Sequence, residues 1–450
     1  MQTLDRQSRR NIFRSLITLA IPVILEEILT TLLQYVDTAM VGRLGAQATS
    51  SVSLTTSVNW LIGSCFGAVG VAMVAIMSSA LGAGDTGKIR RCSSQIVKYI
   101  LAVGLFVEVL AVGLSPVIPI WMQADKAIQK QASIYFCIIS LPIVFRASSV
   151  ICASAMRALK DTRTPMMVNL AANVLNVILN YLLIYTAGLG VTGAAIATAL
   201  SSTLAGILMY VLMRRKEQLR APEKSRGIDR PLLKEAANIS LPALATSVTS
   251  CLGHIVFASL VSSLGTTVFA AHAIALSSET LFYLPGYGLR SATSTLIGIS
   301  VGEDDKAKFR VVERQSIILT MAMMAFTGLL LFLFARPIMG VFTPDQEVIR
   351  QGTKVLKLIA VSEPLFGLMI VSEGIYYGLG QTRITFIVET IGSWGIRILA
   401  TIICIHVLNA TLFEIWICMF ADNTFRALAM ATPLFMGKDL KYFDGRRKAL

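Results

Sequence analysis

Residues 13–36 read FRSLITLAIPVILEEILTTLLQYV and residues 239–262 read ISLPALATSVTSCLGHIVFASLVS. A helix rises about 1.5 Å per residue and the bilayer's hydrocarbon layer is about 30 Å thick, so roughly twenty apolar residues make one span. Both runs are long enough, and both carry an Ile-Pro or Leu-Pro pair in the same place, Ile21-Pro22 and Leu241-Pro242. Ten further runs of this kind lie near 50–76, 93–116, 130–152, 164–186, 191–213, 270–297, 313–335, 352–375, 384–407 and 410–433. The expected fold is therefore an all-α integral membrane protein with twelve transmembrane helices.

The two opening runs are copies within a longer repeat. Leu44-Gly45 returns as Leu264-Gly265 and Thr162-Arg163 as Thr382-Arg383, each 220 residues on, while Gly84-Asp85 and Lys88 match Gly302-Glu303 and Lys306 at an offset of 218. An even number of spans separates the copies, so the repeat is parallel. The reading is a six-helix lobe over 1–213, a charged linker over 214–235 containing Pro222 and Pro231, and a second six-helix lobe over 236–450. The longest outer connections are expected near 116–129 and 336–351.

Composition agrees with a membrane solvent. Fifty-five per cent of residues are hydrophobic and 15% charged, with a mean hydropathy of +0.69, too apolar for a soluble domain of this length. The net charge of +14 does not form a nucleic-acid patch, because the basic residues recur at every second connection. With a cytoplasmic N-terminus, 28 of the 40 Lys and Arg fall on the inside, and only Arg43, Lys126, Lys130, Arg336 and Arg350 fall on the outside. Both termini are thus expected in the cytoplasm. The first span lacks a cleavage site and carries Glu26 and Glu27, so it reads as an uncleaved helix. Seven cysteines show no paired spacing and read as small apolar side chains, and three scattered histidines, His254, His272 and His406, do not make a metal site.

A charged side chain inside a span costs at least about 2.5 kcal/mol and needs a reason. Asp37 lies near the outer end of span one, where a carboxylate either binds a proton or Na⁺ or caps the helix structurally. On span five, Asn169, Asn173, Asn176 and Asn180 are spaced by four, three and four, one stripe of a helix. Such a stripe faces protein or water, and Ala194, Thr198 and Ser201 on span six form a ridge that can meet it. The second half carries Ser247, Ser250, His254, Glu279, Arg290, Glu363, Glu373, Glu389, Arg397, Asp422 and Arg426. Asp422 and Arg426 are one turn apart and are expected to pair. Glu279 and Glu363 either face a central cleft or pair with Arg290 or Arg397. Phe257, Phe282, Tyr283, Tyr287 and Tyr376 can offer aromatic faces to a cation. Pro22, Pro142, Pro242, Pro285 and Pro364 fall inside spans and favour kinks.

Taken in order, Ile21-Pro22, Val36-Asp37-Thr38 with Val41-Gly42-Arg43-Leu44-Gly45, Met156-Arg157-Ala158 with Asp161-Thr162-Arg163-Thr164-Pro165, and Asn176 through Asn180-Tyr181 resemble the multidrug and toxic compound extrusion transporters, bacterial branch. In the second half the resemblance continues through Ala270-Ala271-His272 with Glu279, Leu284-Pro285-Gly286-Tyr287-Gly288, Glu363-Pro364, Trp394-Gly395 with Arg397, and Asp422 with Arg426. It covers nearly the whole chain. The resemblance implies a V-shaped pair of six-helix lobes that export cationic amphipathic compounds in exchange for H⁺ or Na⁺ by alternating access. It implies a first-lobe cation site of Asp37, Asn176, Asn180 and Thr198, with Ala194 one turn before the threonine. An aspartate often found where Asn180 stands is missing, which leaves Asp37 as that site's lone carboxylate. In the second lobe the resemblance implies Glu279 and Glu363, with Tyr283 and Tyr287 beside them, for substrate or coupling-ion binding. Tyr377 and Gln381 stand at the repeat positions of Arg157 and Asp161, so part of the motif is lost there.

Two readings share the architecture. A major facilitator transporter would explain LGAGDTGKIRR at 81–91, but the Asp-Arg-x-Gly-Arg core is absent. A lipid-linked saccharide flippase of the same superfamily usually has additional spans or an Arg-rich cavity. A membrane enzyme would need a catalytic cluster, which the scattered histidines do not form, and a channel suits a symmetric pore better than an asymmetric set of acids. The expected protein is a monomer in the bacterial inner membrane, neither enzyme nor nucleic-acid binder, with no cofactor and with small organic cations and H⁺ or Na⁺ as its partners.

Overall fold

The computed structural model describes residues 5–122, 124–220, 227–408 and 410–449, with side chains described as far as 444. Residues 221–226 of the linker, Pro222 among them, and the side chains of Arg446, Arg447 and Lys448 lie outside the described residues. Within them the chain is helical without strands: α1 (Arg6–Gly42), α2 (Ala46–Gly82), α3 (Thr86–Leu114), a short α4 (Ile118–Trp121), α5 (Lys126–Ser140), α6 (Ile143–Ala158), α7 (Arg163–Asn180) and α8 (Gly190–Arg215). The second half supplies α9 (Arg230–Ser262), α10 (Thr266–Gly302), α11 (Lys306–Phe342), α12 (Gln346–Leu379), α13 (Thr382–Thr390), α14 (Leu399–His406), α15 (Leu412–Phe435) and α16 (Leu440–Ala449). A π-helical turn follows α7 over Tyr181–Thr186, and another joins α13 to α14 over Ile391–Ile398.

Ten of the helical segments are long and apolar enough to cross a bilayer. An eleventh is the pair α5 and α6, bent by 49° where Leu141 and Pro142 interrupt it. The twelfth is α15, whose apolarity is lowered by Glu414, Asp422 and Arg426. The helices overrun the apolar runs because capping residues set their ends. Asp85, Asp125, Asp305 and Asp345 each accept a backbone N–H of the first turn of the helix that follows. As a result the long outer connection expected at 336–351 shrinks to three residues, 343–345, with Pro337 absorbed into α11. The linker likewise shortens, since α8 runs to Arg215 and α9 begins at Arg230.

The repeat is visible in the backbone at a constant offset of 220. Gly45 and Gly265, with φ of 107° and 113°, precede α2 and α10 in a conformation that a Cβ disfavours. Gly84 pairs with Asp304 and Lys160 with Gly380, all at positive φ. Asp85 and Asp305 are equivalent caps. The offset of 218 read from Gly302-Glu303 is therefore corrected to 220, because the capping carboxylate and not the Gly-acid pair fixes the register.

The chain divides into two compact units, Leu25–Ser240, and Met1–Ile24 with Leu241–Leu450. The division falls within two residues of Pro22 in α1 and of Pro242 in α9. Residues of α1 before Pro22 pack with the second half, where Gln315 donates to the Arg9 carbonyl at 3.0 Å. The start of α9 packs with the first half through the Lys88–Glu235 ion pair at 3.1 Å. In the first unit Phe66, Met73, Ile96, Phe136, Ile151 and Met209 build the core, and in the second Phe257, Leu331, Met339, Leu356, Ile415 and Trp416 do.

Small residues set how closely these helices approach, as expected where lipid removes the hydrophobic drive between them. At Gly206 of α8 an added Cβ would lie 2.2 Å from the Phe145 carbonyl oxygen, and the Gly206 carbonyl accepts from Ser148 at 3.0 Å. Gly206→Ala should therefore destabilise the first unit by about 1–3 kcal/mol, whereas Gly63→Ala, with nothing within 4 Å, should not. Thermal melting of the two variants in the same detergent checks this, and equal melting temperatures would refute the close packing of α6 on α8.

Candidate functional site

The asparagine stripe of α7 meets α1 as a ladder. Asn169 donates to Glu26 Oε1 at 2.5 Å, Asn173 to Thr30 Oγ1 at 3.0 Å and Asn180 to Asp37 Oδ1 at 2.6 Å, each pair 143 residues apart. A constant separation means that the two helices run parallel and in register, as spans one and five of one topology must. Glu26 is further held by Arg157 Nη2 at 2.7 and 2.8 Å. The lower two asparagines thus bind helix to helix, and the upper two surround Asp37.

Around Asp37 the site is closed by α8. The Asn176 side-chain amide lies between Asp37 and α8, and its oxygen and nitrogen can be assigned in two orientations. In one, its nitrogen donates to Asp37 Oδ2 at 2.6 Å and Oδ1 at 3.0 Å while its oxygen accepts the Thr198 N–H at 3.2 Å. In the other, its nitrogen donates to Thr198 Oγ1 and Ser201 Oγ, both at 3.3 Å, and its oxygen accepts from Asn180 at 3.2 Å. The second orientation brings the amide oxygen to Asp37 Oδ2, a contact that a proton on the carboxyl satisfies. Asp37, Asn176, Asn180 and Thr198 are thus assembled in one place, half-buried to buried. Ala194, one turn before Thr198, packs in a small cluster with Val41 and Tyr135.

In the second unit most buried charges neutralise one another. Arg397 meets Asp422 at 2.7 Å, and Arg426 meets Glu389 at 2.5 Å and Asp422 at 2.8 Å, with Asn423 accepting from both arginines. The expected Asp422–Arg426 pair is part of this four-charge cluster. Gly392 makes room for it, since a Cβ there would lie 2.3 Å from Asp422 Oδ1. Arg290 pairs with Glu373 at 2.6 Å, and Tyr377 donates to the same carboxylate at 2.6 Å. Glu373 is thus a structural anchor for Arg290.

Glu279 and Glu363 are different. Arg290 and Arg397 are engaged elsewhere, and neither forms an ion pair with Glu279 or Glu363. Both acids are buried, and both carboxylate oxygens of Glu363 lack any hydrogen-bond partner. The two lie on neighbouring helices, Glu279 one turn before Tyr283 and Glu363 one turn before Phe366, whose rings meet at 5.5 Å. Glu363 rests against α11 at Gly328, where a Cβ would lie 2.9 Å from its own Cβ. Tyr283 stacks edge-on with Tyr287 and Phe366 at 5.6 and 5.5 Å, beside Glu279 in the chain. Tyr287 is engaged by the Arg290 guanidinium, 4.5 Å above its ring. Two aromatic faces expected for cargo are not available. Phe257 is 1% exposed and packs under Arg397, and Tyr376 is fully buried with its hydroxyl on the Met430 carbonyl at 3.1 Å.

Several polar residues escaped the sequence reading. The Glu26–Arg157 pair joins residues 131 apart, and nothing in the spacing reveals it. Glu108 accepts the Val144 N–H at 3.1 Å, an amide freed by the α5–α6 break. Arg146 donates to Asn59 Oδ1 at 3.2 Å. Cys404 and Cys418 lie with their Sγ atoms 3.6 Å apart although their spacing suggested no pairing.

An all-helical, twelve-span fold built from two copies, with acids buried inside it, defines a multi-span membrane transporter. The MatE family model matches residues 22–182 and again 242–403, and the chain belongs to this family. It is a transporter and not an enzyme. It is 28% identical over 444 residues to the probable multidrug resistance protein NorM of Thermotoga maritima, covering 97% of this chain and 95% of that one. It is 27% identical to the multidrug resistance protein MdtK of Edwardsiella ictaluri over 85% of both chains. A crystal structure of MATE in complex with MaL6 superposes over 98% of both chains with a TM-score of 0.90 at 19% identity, which shows the common fold.

Paired and unpaired acids should respond differently to substitution. Arg426→Met strands Glu389, while Asp422 keeps Arg397, and should cost about 3–5 kcal/mol, whereas Glu363→Gln removes a charge without an ion-pair partner and should leave the melting temperature unchanged or raise it. Melting of the purified full chain decides, and a Glu363→Gln variant as unstable as Arg426→Met would make that carboxylate structural.

Proposed function

We propose that this chain exports cationic amphipathic compounds in exchange for H⁺ or Na⁺ by alternating access, with Asp37 as the coupling residue of the first unit and Glu279 and Glu363 as those of the second. The observation that carries this reading is a division among the acids. Glu26, Glu373, Glu389 and Asp422 are in ion pairs with arginines, while Asp37, Glu279 and Glu363 are in none. Buried carboxylates without a basic partner are neutralised by a proton or by a bound cation, and two close together cannot both stay ionised alone. The names of the relatives, multidrug resistance proteins, support organic compounds as cargo. Thr280, Tyr283 and Phe366 near the two glutamates supply apolar and aromatic surface suited to an amphipathic cation.

Asn176 can serve either form of Asp37: with the carboxylate ionised its nitrogen donates to it, and with the carboxyl protonated its oxygen accepts that proton while the nitrogen donates to Thr198 and Ser201 on α8. Both termini and the linker over 214–235 face the cytoplasm of a bacterial inner membrane in this reading, which the Lys and Arg bias supports.

Asp37→Asn should insert and melt normally and lose efflux. In proteoliposomes with imposed ΔpH or ΔpNa, tested separately, the native chain should drive dye export with ΔpH, and the variant should not. Normal ΔpH-driven export by Asp37→Asn would remove Asp37 from the coupling. For orientation, a cysteine at Ile228 should stay unlabelled by an impermeant thiol reagent in intact cells.

A further inference from the structure

The constant offset of 220 sets the two units side by side, residue for residue. Gly45 and Gly265 anchor the start of α2 and α10, and Lys160 and Gly380 anchor the end of α6 and α12. Within these uninterrupted helices Asn59 occupies the position of Glu279, Ile143 that of Glu363, and Arg146 that of Phe366. The two unpaired acids of the second unit are thus replaced by a neutral amide and an isoleucine in the first, and an arginine stands one turn from that isoleucine, where the second unit has Phe366.

Arg146 has no acidic side chain within 4 Å among the described residues; its guanidinium donates to Asn59 Oδ1 at 3.2 Å. It is only half-buried although it belongs to a membrane-crossing segment, next to the α5–α6 break. A guanidinium cannot discharge itself, so inside a membrane it requires an anion or water. The same face of α6 carries Ser149, which donates to Asn169 of the α1–α7 ladder. On the preceding α5, Tyr135 packs against Val41 and Ala194, each one turn from Asp37 and Thr198. Ser149 thus ties the face of α6 that carries Arg146 to the ladder whose last rung is Asp37.

We propose that Arg146, with Asn59, is an anion-recognition site that takes the carboxylate of zwitterionic amphipathic cargo. This rests on the export reading above. Arg is suited to this because its planar donors match a carboxylate in two parallel bonds. Arg146 would extend the range of cargo beyond simple cations.

The test uses two fluorescent aminoacridines that differ only in a carboxymethyl group and its methyl ester, bound to the purified full chain. The native protein should bind the carboxylate about tenfold more tightly than the ester, the effect of one charge-assisted bond. Arg146→Gln should erase that preference without changing ester binding. Asn59→Asp keeps the arginine and gives it the acid that its repeat counterpart Glu279 would supply, so it should also erase the preference while leaving the melting temperature unchanged or higher. Equal affinity of the native chain for both probes overturns the proposal. So does an equal loss of both probes in Arg146→Gln with a lower melting temperature, the behaviour of a strut. Efflux of the ester from proteoliposomes reports on export separately: an exported ester without carboxylate preference removes only the Arg146 site, and an ester that is not exported counts against the export reading.

Discussion

Moving an unpaired charge into hydrocarbon costs at least about 2.5 kcal/mol, and the helices of this chain carry more than ten ionisable groups across the membrane. The fold meets that cost by bringing together residues far apart in sequence: Arg157 with Glu26, Arg290 with Glu373, Arg397 and Arg426 with Glu389 and Asp422. Packing follows from these pairs. Gly392 stays without a side chain so that the four-charge cluster fits, and Gly374 does the same beside Arg290. On the acidic side Asp37, Glu279 and Glu363 are in no ion pair among the described residues, and both carboxylate oxygens of Glu363 lack even a hydrogen-bond partner.

Duplication preserved the backbone and not the polar content. The φ-positive residues and aspartate caps recur at 220, whereas Asp37 becomes Phe257, Glu26 becomes Thr246, Thr198 becomes Cys418 and Asn169 becomes Glu389. Backbone geometry is held by sterics that act locally and equally in both copies. Polar side chains answer to what they bind, and the units differ in that. Each unit also has a π-helical turn, at different repeat positions: Tyr181–Thr186 directly after Asn180 in one, and Ile391–Ile398 beside the Arg397 cluster in the other. Such turns commonly mark functional positions in helices.

What the sequence disclosed was whatever depends on one helix alone. Twelve spans were legible because apolar length is a local property, and the asparagine stripe because its spacing of four, three and four is the helix period. The meeting of Asp37 with Asn180 came through the family resemblance, and the lengths of the helices were underestimated because caps such as Asp305 and Asp345 lie outside the apolar runs. Facing between helices was hidden. Nothing in the spacing says that Glu26 meets Arg157, that Arg290 meets Glu373 in place of Glu279, or that Tyr376 turns inward to the Met430 carbonyl. Phe257 and Tyr283 are similar as letters, yet one lies under Arg397 and the other beside Glu279.

The α1–α7 ladder shows why Asp37 is the rung that can switch. Three bonds at one register hold two parallel helices, so a shift of either helix along its axis would break all three at once. The Glu26 rung cannot be neutralised without stranding the Arg157 guanidinium, and the Thr30 rung does not titrate. At Asp37 a proton leaves no ion without its partner, and Asn176 has bonds on α8 to turn to. The lower end of α1 is fixed through Glu26, with Pro22 just below removing an amide that would stiffen the helix there, so Asp37 is the rung whose charge can change without breaking an ion pair.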